Sequence, residues 1–302
     1  MPMPVCTLCP RSCHAPREDD SGLGYCAMGW LPVVARAAAH DWEEPCISGT
    51  RGSGTVFFSG CPLGCVFCQN APISHRGAGV RMTVPELAEL FQRVEDLGVH
   101  NLNLVNPTHF APVVLEALTL ARPNIPVVWN SSGYETVEMV RSARGLVDVF
   151  LPDFKYATAE TSADLAHAPD YFEVATKAIT AMCEQTGEAV WDREGLLLRG
   201  TLVRHLVLPL RVKESLTILD TIAARLPPGT PVSLMRQYTP MNESKIPGLD
   251  RRLTLREYAR ARDHMKELSL PGYCQGKEAA DAAFTPAFLD RESTRLFPHT
   301  EP

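Results

Sequence analysis

The chain has 302 residues, 45% of them apolar and 21% charged, with a formal net charge of −6. That is the make-up of a globular protein, long enough for one large barrel or for a barrel with a small appendage. No apolar run reaches the roughly 18 residues a membrane helix needs, and the negative balance gives nucleic acid or an anionic membrane no general attraction.

The first residues, MPMPVCTLCPRSC, lack a signal-peptide core, so a cytoplasmic protein is expected. In such a compartment ten cysteines suit metal or catalysis better than disulfides. Four of them, Cys6, Cys9, Cys13 and Cys26, open the chain as C-x2-C-x3-C-x12-C. Four thiolates close one tetrahedral site, so a small metal-pinned cap over residues 1–50 is expected. Zinc is the first choice for it, and an auxiliary Fe–S cluster the second.

Residues 51–302 then alternate strands with amphipathic helices. SGTVFF reads as the first strand. TVPELAELFQRVEDLG reads as a helix that opens on a Thr83/Glu86 capping box and buries Leu87, Leu90, Phe91, Val94 and Leu97. Further strands follow at NLNLVN, PVVWN, LVDVFLPD, GTLVRHLVL and PVSLMRQ. Helices are expected from about Ala111, Glu135 and Tyr171, then near Ser215–Leu226 and Leu255–Leu268. Six units with apolar strands predict an α/β fold with a parallel sheet, a partial (β/α)6 TIM-like barrel. No G-x-G-x-x-G follows the first strand to favour a dinucleotide fold.

In a parallel barrel the chemistry gathers at the C-terminal ends of the strands. Those ends carry Asn106, Thr108 and His109, then Asn130 with Ser131 and Ser132, Asp153 with Lys155, Arg204 with His205, and Gln237 with Tyr238. One such residue is ordinarily a solvated loop side chain, and His205 equally suits a satisfied core position. Six strands delivering them to one mouth point to a site.

After the first strand, FFSGCPLGCVFCQN holds Cys61, Cys65 and Cys68 as C-x3-C-x2-C. A structural zinc site wants four ligands, and a [4Fe–4S] cube also has four corners. Three cysteines on a glycine-rich loop leave one iron open to a substrate.

CPLGCVFC resembles the signature of the radical S-adenosylmethionine (radical SAM) superfamily. Together with NLVNPTHFAP, VWNSSGYE, LPDFKY, LVRHLVLPL, SLMRQYTP and the N-terminal CTLCPRSC, it is similar to the pyruvate formate-lyase activating enzyme-like (PflX-type) branch. The resemblance implies an oxidoreductase in which Cys61, Cys65 and Cys68 hold a [4Fe–4S] cluster. The open iron chelates SAM, and reductive cleavage yields a 5′-deoxyadenosyl radical that takes hydrogen from a substrate C–H bond. Phe67 is implied near the adenine. Asn106 and Thr108 stand where relatives meet the SAM amino group, although no glutamate stands there in this sequence. Arg204 suits the SAM carboxylate, and Asn130, His205 and Gln237 join the candidate cofactor-binding set. Asp153 and Lys155 match a D-x-K found beside SAM and substrate in glycyl-radical activases, and are the catalytic candidates. The implied partners are SAM, an electron donor such as flavodoxin or ferredoxin, and a protein, peptide or small-molecule substrate.

The rival readings are a non-catalytic Fe–S or zinc redox module and, last, a zinc hydrolase using His109 and Asp153. Of the remaining cysteines, Cys183 falls on a helical apolar face and suits the core, while Cys46 and Cys274 carry no assignment.

Overall fold

The computed structural model describes residues 5–240, 246–276 and 286–298. Residues 5–32 contain no strand or helix, only an isolated bridge between Arg17 and Gly22. β1 (Val33–His40) then runs antiparallel to β2 (Ser53–Phe58), with the one-turn α1 (Pro45–Ser48) between them. After β2 come α2 (Ala71–Ser74), the two-residue edge strand β3 (Val80–Arg81) beside β1, and α3 (Val84–Glu95). The chain continues as β4 (Leu102–Val105), α4 (Ala111–Ala121), β5 (Val127–Ser131), α5 (Val137–Ser142) and β6 (Val149–Pro152). Helices α6 (Ala159–Ala166) and α7 (Tyr171–Thr186) lead to the hairpin of β7 (Val190–Trp191) and β8 (Leu197–Thr201). The last elements are β9 (Val203–Leu206), α8 (Val212–Arg225), β10 (Val232–Met235), α9 (Leu255–Glu267), β11 (Gly272–Cys274) and α10 (Arg291–Thr294).

The sheet is mostly parallel. β2, β4, β5, β6 and β8 lie side by side, and β9, β10 and β11 form a second parallel run. A bridge between Asp153 and Arg204 joins the two runs, which gives the curved course of a partial barrel. All six expected strand positions are present. The expected single strand over 200–208 is broken at Leu202, because the chain leaves β6 there to pair with β10. Four strands lie outside the expected set: β1, which brings residues 33–40 of the N-terminal segment into the main sheet, β3 beside it, β7 beside β8, and β11 beside β10.

Local chemistry explains the helix boundaries. The Thr83 amide donates to Glu86 at 2.7 Å, closing the capping box of α3. That helix buries Leu87, Leu90, Phe91 and Val94, whereas Leu97 lies past its end and is exposed. The helix expected from Glu135 starts two residues later, because Thr136 caps it by accepting from the Met139 amide at 3.1 Å. Glu135 is thereby free to turn inward. α8 starts at Val212, three residues before the expected Ser215.

Most of the core lies between sheet and helices, and Cys183 belongs to it as expected. A smaller cluster fills the barrel beneath the strand ends: Cys46 and Ile47 of α1 against Val128, Val149, Leu151 and Leu202. α1 is therefore a plug that gives the site above it an apolar floor. Among the described residues no helix is long and apolar enough to cross a membrane.

Removing the plug is expected to be costly. Ile47→Ala should destabilise the fold by about 2–5 kcal/mol, the usual cost of an emptied core position. Leu255→Ala, at a side chain 56% exposed, should change stability by less than about 0.5 kcal/mol. Urea unfolding of the two variants checks the difference, and equal midpoints would refute the plug.

Candidate active site

The principal cavity, of about 250 Å³, opens at the C-terminal ends of the strands. Cys61, Cys65, Cys68, Phe67, Asn106, Asn130, Asp153, Lys155, Arg204, Gln237 and Tyr238 all line it. Thr108 and His205 do not.

For His205 the reason is strand alternation, which sends successive side chains to opposite faces. On β9, Arg204 and Leu206 face the cavity, and His205 between them faces α8. His205 Nε2 lies 2.8 Å from Ser215 Oγ and Nδ1 lies 2.7 Å from the Phe154 carbonyl. Burial lowers its pKa to about 4, and both ring nitrogens are partnered on the side away from the cavity. Thr108 donates its hydroxyl to buried Glu135 at 2.6 Å and is likewise turned away. His109 points its Nε2 at the Ser59 carbonyl, 2.7 Å off, and burial lowers its pKa to about 3.

Under the cavity lies a layer of buried charge. Arg204 donates from Nε to Asp153 at 2.8 Å, from one terminal nitrogen to Glu43 at 3.1 Å, and from the other to Asn130 at 2.7 Å. Lys155 donates to the other oxygen of Asp153 at 2.5 Å. Glu43 also accepts from Asn103 at 2.9 Å and from Asn130 at 2.7 Å. Burial pushes the Asp153 carboxyl up, but Arg204 and Lys155 outweigh it and hold it below its ordinary value. Arg204 is thus the hub of an internal network, and its guanidinium is already committed to protein acceptors.

Sequence reasoning missed Glu43, His40 and Trp42, which reach the cavity from the end of β1. The acidic pair in DWEEP, straight after an apolar run, was the available signal for Glu43. Glu135 was also missed. It is fully buried and accepts from Thr108, from Trp129 at 2.7 Å and from Ser131 at 3.1 Å, tying β5 to the segment after β4.

The cysteine loop is built to hold sulfur as an acceptor. Cys61 Sγ lies 3.3 Å from the Leu63 amide and 3.4 Å from that of Gly64, while Ser74 donates to Cys68 at 3.3 Å and Tyr156 to Cys65 at 3.1 Å. Gly60 sits at φ +77°, and a Cβ there would collide with Met28 and crowd His109. Burial pushes Cys61 up to about 11 and Cys65 up to about 12, so metal must displace their protons on binding. Among the described residues no three cysteine, histidine or carboxylate side chains close on one point as they would around a single ion. A [4Fe–4S] cube does not require that, since each cysteine takes a separate iron, and three thiols on one cavity with hydrogen-bonded sulfurs fit it.

A zinc ion does require it, with four sulfurs about 2.3 Å from one centre. The zinc expected as first choice at Cys6, Cys9, Cys13 and Cys26 is therefore not supported. These residues do lie near one another: burial pushes Cys9 up to about 12, and Cys26, Cys6 and Cys13 push the same way.

The Radical SAM superfamily model matches residues 55–197. An uncharacterised protein, MJ0674, of Methanocaldococcus jannaschii is 31% identical over 280 residues, covering 88% of this chain and 75% of that protein. Among solved structures, Streptococcus suis SuiB bound to its precursor peptide SuiA is 12% identical at a TM-score of 0.50, covering 74% of this chain and 48% of SuiB. SuiB bound to S-adenosylmethionine is 13% identical at a TM-score of 0.46, covering 73% and 49%. The chain spans about half the length of SuiB.

The network makes a pH prediction. Because Asp153 titrates below its unfolded value, near 3.9, its stabilisation is complete above that pH and is lost as pH falls through the folded value. In Arg204→Met the carboxyl should titrate at higher pH than in the wild type, as followed by ¹³C NMR of the Asp153 side chain. An identical midpoint in both proteins would show that Arg204 does not hold it.

Proposed function

Because the chain belongs to the radical SAM superfamily, we propose that Cys61, Cys65 and Cys68 hold the [4Fe–4S] cluster of a radical SAM oxidoreductase whose substrate enters through the barrel mouth. Superfamily membership brings SAM and the cluster with it. When bound together they supply a 5′-deoxyadenosyl radical able to take hydrogen from an unactivated C–H bond. The observation that carries the reading is the placement of three thiols, an aromatic wall and an ion-paired carboxylate around one cavity.

The chain's own residues position and shield. Phe67 meets Tyr238 edge to face, with ring centroids 5.8 Å apart, and the pair offers an apolar wall for an adenine. Tyr238 is itself fixed, donating to the Leu249 carbonyl at 2.7 Å. Asn106, whose amide donates to the Gly60 carbonyl at 2.6 Å, pins the start of the cysteine loop. Gln237, held by Gln275 at 3.2 Å, presents polar atoms to the other side of the mouth. Asp153 and Lys155 bring a charge pair to the cavity wall, suited to the polar groups of SAM or substrate, and Arg204 orients Asp153.

The cavity is open at the barrel mouth, so a substrate can approach from outside the strands. The substrate then contributes a segment at the mouth, as a peptide would. The precursor peptide bound by SuiB, on a shared fold, is in keeping with this, and a glycine loop of a partner protein is one such segment. A flavodoxin- or ferredoxin-type donor supplies the electron.

Anaerobic reconstitution with iron and sulfide, reduction with dithionite and addition of SAM should release 5′-deoxyadenosine, and the Cys61→Ala/Cys65→Ala/Cys68→Ala protein should release none. Asp153→Asn should keep the iron content of the wild type and lower the release by roughly ten- to a hundredfold, the usual penalty for misplaced reactants. A wild-type cluster that is reduced yet neither binds nor cleaves SAM would sink the proposal.

A further inference from the structure

Among the described residues the N-terminal cysteines do not close on one point as they would around a single ion, yet Arg11 and Tyr25 of the same segment are directed at the cysteine loop. Arg11, between Cys9 and Cys13, donates to four backbone carbonyls on two elements. Two belong to the cysteine loop: Pro62 at 2.8 Å from Nε and Leu63 at 3.2 Å from a terminal nitrogen. Two belong to the end of α6: Ala166 at 2.6 Å, and His167. The last carbonyls of a helix lack intrahelical partners and carry its negative pole, so a guanidinium suits them twice over.

Tyr25 completes the contact. Its ring lies under the Arg11 guanidinium at 3.8 Å, its hydroxyl donates to the Leu63 carbonyl at 3.2 Å, and its amide donates to Cys13 Sγ at 3.3 Å. Gly64 follows directly, at φ +63°, and a Cβ there would lie 2.8 Å from the Tyr25 hydroxyl. Backbone bonds shape the segment that carries these side chains: the Cys6 amide to Ala15, the His14 amide to Cys6 and the Ser12 amide to Cys9. The Val66 amide donates to the Leu165 carbonyl at 2.9 Å, so the loop is tied to α6 both directly and through Arg11.

We propose that the N-terminal cysteine segment is a brace for the cluster loop and that Arg11 is its positioning residue, fixing the Pro62–Leu63 backbone against α6 so that Cys61 and Cys65 present their sulfurs together. The inference rests on the radical SAM reading only for the cluster; the brace itself is a property of the polypeptide. Arg11 touches neither thiol. It acts through the two carbonyls between them, and its charge lies beside the loop that takes the cluster. A lysine keeps the charge but cannot fork to four carbonyls.

Hydrogen exchange of the metal-free, full-length protein tests the brace directly. In Arg11→Ala and Arg11→Lys, the amides of residues 60–68 should exchange faster by about tenfold or more, while those of β5 stay at wild-type rates. Tyr25→Phe should show the same pattern more weakly. On the reconstituted protein, Arg11→Ala should alter the EPR spectrum of the reduced cluster and move its midpoint potential to more negative values. Arg11→Lys, which keeps the charge, should leave the potential close to wild type. Wild-type exchange over 60–68 in the arginine variants would overturn the proposal. If Arg11→Ala does not fold, Arg11→Lys and Tyr25→Phe decide the matter by the same exchange measurement. A wild-type protein that takes up no cluster would sink the radical SAM reading and leave the exchange result standing.

Discussion

The site depends on one cation shared among three strand ends. Arg204 binds Asp153 after β6, Asn130 on β5 and Glu43 after β1, so a single guanidinium draws together parts of the chain up to 161 residues apart. Ion pairs largely withdrawn from water lose hydration and recover it only when donors and acceptors are matched. Here the matching is dense: Asp153 uses both oxygens on cations, and Glu43 adds two amide donors. The network also sits where β8 gives way to β9, a place where the backbone ladder alone is interrupted and the Asp153–Arg204 bridge carries the connection.

A buried charged layer needs an apolar layer below it and a liganded layer above it. α1 provides the first by inserting Cys46 and Ile47 among the feet of β5 and β6. The cysteine loop provides the second. Burial raises Cys61 and Cys65, while nearby Lys155 favours their thiolates. The same lysine is paired with Asp153, so the loop and the charged layer share one group.

Much of this was legible in the sequence because it depends on local patterns. Six apolar strands and a capping box at Thr83 are short-range signals, and the C-x3-C-x2-C spacing announces its own chemistry. What escaped depends on long-range pairing. β1 reads VVARAAAH, and only its antiparallel partner β2 makes a strand of it. Glu43 acquires a role only because β1 delivers it next to Arg204, far along the chain. Thr108 and His205 lie in segments that reach the cavity, but their side chains point away from it. A one-residue difference along a strand or turn decides between cavity and core, and neighbouring polar residues such as Arg204 and His205 do not reveal which of them faces inward.

A partial barrel leaves edges that a closed barrel does not have, and unpaired edges invite association. On the β1 side the edge is narrowed to the two residues of β3, and the C-terminal segment packs alongside. The Leu289 amide donates to the Ala35 carbonyl at 3.3 Å, Arg36 donates to the Ala287 carbonyl at 3.2 Å, and Phe288 meets Phe57 edge to face at 5.5 Å. Arg93 of α3 holds the same tail by the carbonyls of Leu296 and Phe297. Pro286, at the start of this segment, also lines the cavity. The tail that covers the sheet edge thus also shapes one wall of the mouth, while the N-terminal segment meets the cysteine loop through Arg11 and Tyr25. The two ends of the described chain converge on the opening that the barrel strands leave, and the geometry of that opening is set as much by these ends as by the strands themselves.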